Sequence, residues 1–148
     1  MGHIAEKVGG ASLFNISPQN LDVYIKETMH CAHTCRTCAD SCSRSPARFS
    51  EIINVCLECA KTCESLANAL SLHKQGVKNV RQIQIEATIV SSRLCAGRCE
   101  QRARESDCIE VCANAARRCE EIIKTLLPKS SRYNSSRIFT FLKSVIGR

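Results

Sequence analysis

The sequence predicts an all-α protein: an antiparallel up-down-up-down four-helix bundle with a cysteine-lined core, plus an N-terminal arm and a short C-terminal helix. Three observations predict it. Sheet formers and helix breakers are scarce, with 4% aromatics, no tryptophan, three prolines and six glycines in 148 residues, which disfavours a sandwich or barrel. Apolar and cysteine positions recur at alternating gaps of three and four through four long segments, as on the buried stripe of a helix. The breaks between those segments are short, which sets consecutive helices antiparallel.

Each element has its own signal. Residues 1–16 read as an N-terminal arm. Ser17-Pro18 offers an N-cap followed by proline at the first helical position and opens a helix over about 18–44. Ser45-Pro46 repeats that signal and opens the second, about 46–75, which Gly76 closes as a C-terminal cap. A third helix is expected over about 78–104 and a fourth, capped by Ser106, over about 107–127, stopping before Pro128. The bundle thus occupies residues 17–127, one domain long enough to bury a core. Residues 128–148 combine a serine-rich linker, SSRYNSS, with the basic amphipathic stretch RIFTFLKSVIGR. That stretch reads as a short fifth helix, its Ile138, Leu142, Val145 and Ile146 packing on the bundle or on another subunit.

The stripes are unusual in what they contain. Helix one runs Leu21, Tyr24, Thr28, Cys31, Cys35, Cys38, Cys42; helix two runs Phe49, Ile52, Cys56, Cys59, Cys63, Leu66, Leu70, His73. Helix three runs Ile85, Thr88, Ser92, Cys95, Cys99, and helix four runs Cys108, Cys112, Ala115, Cys119, Ile122, Leu126. All twelve cysteines fall on these stripes. Helix one carries the frame CxxxCxxCxxxC in full; helix four has Ala115 in the third slot and helix two has Ile52 in the first. A second apolar stripe on helix three, Val80, Ile83, Ala87, Val90 and Leu94, requires a cover from the tail or another subunit.

Depth sorts the cysteines. Counted from the end shared by the one-two and three-four turns, Cys42 and Cys108 are outermost, then Cys38, Cys99 and Cys112. Cys35, Cys56 and Cys95 follow, then Cys31, Cys59 and Cys119, with Cys63 deepest. A helical rise of about 1.5 Å per residue spaces these layers roughly 5 Å apart. One half of the bundle is packed with hydrocarbon, the other lined with sulfur.

Several function classes are disfavoured. The net charge of +7 is concentrated in the acid-free segment 128–148, through Lys129, Arg132, Arg137, Lys143 and Arg148. No basic face with stacking aromatics accompanies it in the helical region, so nucleic acid is not an expected partner. No segment approaches a membrane span. MGHIAEKVGGASLFNISP has no apolar run long enough for a signal peptide. A reducing, cytoplasmic setting is therefore expected, where clustered cysteines serve metal or redox chemistry more often than disulfides. No nucleophile–base pair or phosphate loop is visible, and no catalysis is expected.

Cysteines four apart on a helix converge on one ion. The spacing occurs at 31/35, 38/42, 59/63, 95/99 and 108/112, and the pairs 35/38 and 56/59 link successive sites. Thiolate-only ligation suits Cu(I), Zn(II) or iron–sulfur clusters. Four thiolates around Zn(II) leave a net charge of −2 to bury, whereas one Cu(I) per thiolate leaves a neutral core. Charge therefore favours multiple Cu(I) ions; a zinc-binding or an iron–sulfur redox protein is the alternative. The metal ligands are expected to be Cys31, Cys35, Cys38, Cys42, Cys56, Cys59, Cys63, Cys95, Cys99, Cys108, Cys112 and Cys119, with His30 a candidate addition about 100° from the seam. His33 and Met29 read as surface residues, and His73 as a polar plug at the leucine-packed end.

HCAHTCRTCADSC, CLECAKTC, CAGRC and CIEVCANAARRC, spread over about residues 18–127, resemble the bacterial copper storage proteins, cysteine-rich four-helix bundles. The resemblance implies storage of many Cu(I) ions by core thiolates in two- or three-coordinate, partly bridged sites. It also implies a cytosolic homo-oligomer, commonly a tetramer; delivery by a copper chaperone is a further expectation. Family members tend to carry histidine or methionine near an open mouth, and neither stands near Cys42, Cys99 or Cys108 in this sequence.

Overall fold

The structure, a computed structural model, describes residues 18–127. The predicted arm, Ser17 and the predicted fifth helix lie outside the described residues. Four α-helices follow in chain order: α1 (Pro18–Cys42), α2 (Pro46–Lys74), α3 (Gln82–Gln101) and α4 (Asp107–Lys124). A 3-10 turn, Ala103–Glu105, joins α3 to α4.

Side-chain pairs on the outer faces show the directions. Asp22 pairs with Lys74 and Arg36 with Glu64 between α1 and α2. Gln84 reaches Ser65, and Arg98 reaches Glu51, between α3 and α2. Arg93 meets Glu120 and Arg117 meets Glu100 between α3 and α4, while Arg118 meets Glu27 and Tyr24 meets Thr125 between α4 and α1. At each seam residue numbers climb on one helix as they fall on its neighbour, which is up-down-up-down packing. The most extensive contacts are α1 with α2 and α3 with α4, so the bundle is two tight hairpins laid together.

The helix ends differ from the expected ones for physical reasons. Gly76 has φ of +95°, and behind it Val77 N–H donates to the Leu72 carbonyl (2.9 Å) and Gly76 N–H to that of His73 (3.0 Å). This Schellman ending needs a left-handed residue, and glycine supplies it without a Cβ penalty. α3 then begins at Gln82 rather than Lys78, because the chain must cross to the next helix axis, about 8–10 Å away. It crosses in non-helical backbone, with Val80 turned into the core and Arg81 N–H held by Gln84 Oε1 (3.4 Å). At its other end α3 stops at Gln101 instead of Arg104. Ser45 and Ser106 occupy N-cap positions, but neither hydroxyl makes a cap hydrogen bond. The Ser106 hydroxyl contacts Cys108 Sγ instead, at 3.1 Å.

The stripes turn inward largely as the spacing predicts, and α4 is the exception. Its most completely buried positions include Ile109, Ala116 and Ile123, each a residue beyond the predicted line; Ala115 is 9% exposed against 0% for Ala116, and Ile122 is only half-buried. A helix flanked by two neighbours buries a wider face than a two-helix seam. On the second stripe of α3, Val80, Val90 and Leu94 are buried while Ile83 is exposed.

Buried hydroxyls separate the two halves of the core. Thr28 donates to the Tyr24 and Ile25 carbonyls, both at 2.9 Å, and Thr88 to that of Gln84 at 2.9 Å, so neither carries an unpaired hydroxyl into the interior. Leu66, Leu70, Ile85 and Ile123 fill one side of this layer. Sulfur fills the other.

Candidate metal centre

Eleven cysteines are buried and Cys108 is half-buried; all twelve are free thiols. Regular helical backbone positions each pair, and the four-helix packing brings different helices' sulfurs together. Cys35 of α1, Cys56 of α2, Cys95 of α3 and Cys112 of α4 form a closed ring. Its sulfur–sulfur distances are 3.8 Å (35–95), 3.9 Å (95–56), 3.5 Å (56–112) and 3.7 Å (112–35), with 95–112 at 3.8 Å across it. Cys112 therefore belongs with Cys35, Cys56 and Cys95, one layer deeper than its residue count suggests, and each helix contributes one sulfur.

The column continues on both sides of the ring. Cys31 lies 3.7 Å from Cys59, and Cys63 lies 3.8 Å from Cys119. Sulfurs within 4.8 Å of one another form four groups: Cys38, Cys42 and Cys108; Cys56, Cys95, Cys99 and Cys112; Cys31, Cys35 and Cys59; and Cys31, Cys63 and Cys119. Every cysteine belongs to at least one group, and Cys31 joins two. His30 belongs to none: it stands on the solvent face of α1, one residue's rotation from the seam, and is corrected to a surface residue. His73 is half-buried at the leucine end, away from these groups. His33 is exposed, as expected, yet it lines a groove that also reaches Cys38 and Cys108.

Protons are shared unevenly along the column. Hydrogen bonding to Cys112, and to other neighbours, holds Cys35 well above the ordinary thiol range, and burial adds to the rise. Hydrogen bonding with Cys35, Cys38, Cys56 and Cys95 outweighs burial and holds Cys112 well below it. Bonds from Cys31 and Cys63 bring Cys119 down to about 5. Cys42 is pushed up to about 11, first by burial and then by Cys108. Burial opposes ionisation of Cys108, but bonds from Ser106 and Ser41 outweigh it and lower this thiol.

The donor set selects its metal by charge. Buried polar and charged side chains among the described residues are Thr28, Glu86, Thr88, Ser91, Ser92 and Glu120, with no buried cation. Several sites of net charge −2, the result of tetrahedral Zn(II)–thiolate ligation, would have no counter-charge in this interior. Monovalent ions matched one to one with thiolates leave it neutral. Unloaded, the buried cysteines pack as small hydrophobes, and those held below the ordinary range are hydrogen-bonded by neighbouring thiols, so the bundle does not need metal to close.

Fold and site define a class of protein: a helical bundle whose core is a reservoir of thiols for soft metal ions. The family model described as copper storage protein matches residues 17–128, and the chain belongs to that family. Among solved structures it is similar to a cytosolic copper storage protein from Streptomyces lividans loaded with five coppers. The two share 30% identity over 74% of this chain and 93% of that one, with a TM-score of 0.68. A single histidine-to-alanine mutant of the Streptomyces lividans protein matches at 29% identity over 75% and 94% of the two chains (TM-score 0.68). A double histidine-to-alanine mutant matches at 30% over 76% and 96% (TM-score 0.69). No curated protein matches the sequence.

Proposed function

We propose that this chain stores copper as cargo, holding multiple Cu(I) ions on the thiolates of Cys31, Cys35, Cys38, Cys42, Cys56, Cys59, Cys63, Cys95, Cys99, Cys108, Cys112 and Cys119. The observation that carries the reading is the continuous sulfur column, every cysteine in reach of at least two others, in a core with no buried cation among the described residues to balance divalent sites. Binding is the whole of the activity. Protonated thiols surrender their protons as ions arrive, and the preformed bundle fills without refolding. The cytosol is the working compartment, in keeping with the cytosolic Streptomyces lividans relative. No described helix is long and apolar enough to cross a membrane. Delivery by a copper chaperone and assembly as a homo-oligomer, a tetramer by resemblance, belong to the same reading.

Anaerobic titration of the reduced protein with Cu(I), in competition with a chromophoric chelator, tests it. Neutralising the column predicts uptake of about one ion per thiolate. Saturation at a few ions, or equal preference for Zn(II), would contradict storage. The group Cys56, Cys95, Cys99 and Cys112 is the place where a single tetrahedral Zn(II) fits, and one tight zinc equivalent would favour that second reading.

A further inference from the structure

The turns at the cysteine end of the bundle are tied together by a side-chain clamp around Phe49. Phe49, in the first turn of α2, is buried, and the helix is distorted at this residue (φ −117°, ψ 21°). The Arg48 and Arg102 guanidiniums lie 5.0 and 4.8 Å from its ring centroid. Glu105 Oε1 accepts from Arg48 (2.9 Å) and Arg102 (2.9 Å), and Arg102 Nη1 also donates to the Arg48 carbonyl (2.9 Å). These contacts tie the start of α2 to the 3-10 turn before α4. Ile52 and Ile109, both fully buried, belong to the same core cluster as Phe49. An aromatic clamped by two cations and an aliphatic layer make a poor path for a metal ion.

The side of the bundle is different. A groove of about 320 Å³ lies between α1 and the first turns of α4, on a seam between the two hairpins. His33, Thr37 and Cys38 form one wall; Asp107, Cys108 and Val111 form the other. Cys108, the one cysteine not fully buried, sits in this groove, while the other eleven are 3% exposed or less. Its sulfur is within 4.8 Å of Cys38 and Cys42. Cys38 lies one helical turn from Cys35, whose sulfur is 3.7 Å from that of Cys112 and 3.8 Å from that of Cys95.

We propose that this lateral groove is the port through which Cu(I) enters, with Cys108 the first core thiolate to take the ion and His33 a transient donor at the rim. The proposal rests on the storage reading. It takes Cu(I) presented as a thiolate complex, whether from a small thiol or from a protein donor. The Cys108 sulfur bonds to copper as the donor's copper–sulfur bond breaks; the proton leaving Cys108 passes to the released donor thiolate. Copper remains Cu(I) and no electron moves. Exchange to Cys38 and Cys42, then to the four-helix ring, follows by the same step between neighbouring sulfurs.

Anaerobic stopped-flow mixing with the Cu(I)–glutathione complex tests the port in the full chain, alongside equilibrium capacity. Val111→Trp fills the groove from an exposed position (56%), and Val23→Trp, on an exposed site of α1 (51%), controls for added bulk. Expected are loading about fivefold slower or more for V111W, slower loading for His33→Ala, a wild-type rate for V23W and unchanged capacity throughout. Wild-type rates in both V111W and H33A, with full wild-type capacity, would overturn the port and leave storage standing. Low wild-type capacity would instead remove the storage reading itself. Alkylation of the wild-type apo protein gives an independent check that needs no variant. Cys108 is expected to be modified first, and first modification of any other cysteine would overturn the assignment.

Discussion

Cys56 Sγ and Cys112 Sγ stand 3.5 Å apart at the centre of the bundle, on helices that share no turn. They close a ring to which every helix contributes one thiol, so this layer is both the packing core and the binding surface. Replacing Cys112 by alanine removes a sulfur that meets Cys35, Cys56 and Cys95 together. We expect the apo fold to survive with a loss of about 1–2 kcal/mol, since only one buried heavy atom goes. Cu(I) capacity should fall by more than one equivalent because the column is interrupted. Cys42→Ala, at the outer edge, should cost about one equivalent. Thermal denaturation and Cu(I) titration of the two variants check both numbers.

Ala115→Cys fills the vacant third slot of the frame on α4. Ala115 lies at the edge of the core, 9% exposed, so the larger side chain has room to settle toward Cys112 and Cys119. The variant should fold and bind about one further Cu(I). Thiol counting together with titration tests this; an added thiol with unchanged capacity would show that position 115 faces away from the column.

Glu120 is a buried carboxylate with three cationic partners: Arg93 at 2.7 Å, Lys124 at 3.4 Å and Arg117 at 2.5 Å. Burial alone would raise its carboxyl, but Arg93 and Arg117 outweigh that and hold it below the usual range. Its stabilising contribution is therefore full above the unfolded value of about 4.3 and is lost as pH falls through the lower folded value. Glu120→Gln should destabilise the apo protein at pH 7 by about 1–3 kcal/mol, less than for a fully buried pair because the cations stay partly hydrated. Denaturant unfolding at pH 7 and pH 3 should show the difference between wild type and variant shrinking in acid.

Gly76→Ala isolates the α2–α3 turn. A Cβ there meets nothing within 4 Å, so the whole cost is the left-handed backbone at φ +95°. A loss of about 1–2 kcal/mol is expected, with Cu(I) capacity unchanged. A change in capacity would mean that this turn, at the leucine end, is coupled to the sulfur half.

The sulfur column was legible because helical periodicity is a local property. Gaps of four, three and four in HCAHTCRTCADSC place Cys31, Cys35, Cys38 and Cys42 on one face whatever packs against it. What a neighbour decides was harder to read. Ile109, Ala116 and Ile123 are buried because α4 is flanked on two sides, and a single-file stripe leaves them out. Arg81 opens α3 because of the distance between helix axes, which no local motif records. The Phe49 clamp joins Arg48, Arg102 and Glu105 across two turns more than fifty residues apart. His33 reads as a surface histidine along α1; only the crossing of α4 puts it in one groove with Cys108. A cysteine in the first turn of α4 opposite a histidine on α1 would have been the available signal, and it is weak without the register between the helices.

The most direct test of the central claim is anomalous diffraction at the copper edge from crystals loaded anaerobically with Cu(I). Copper peaks strung along the bundle axis from Cys42 to Cys63, each between two or three cysteine sulfurs, are predicted, with ions on the ring of Cys35, Cys56, Cys95 and Cys112. A sulfur column left empty beside copper confined to surface histidines, or one isolated four-sulfur site, would contradict it.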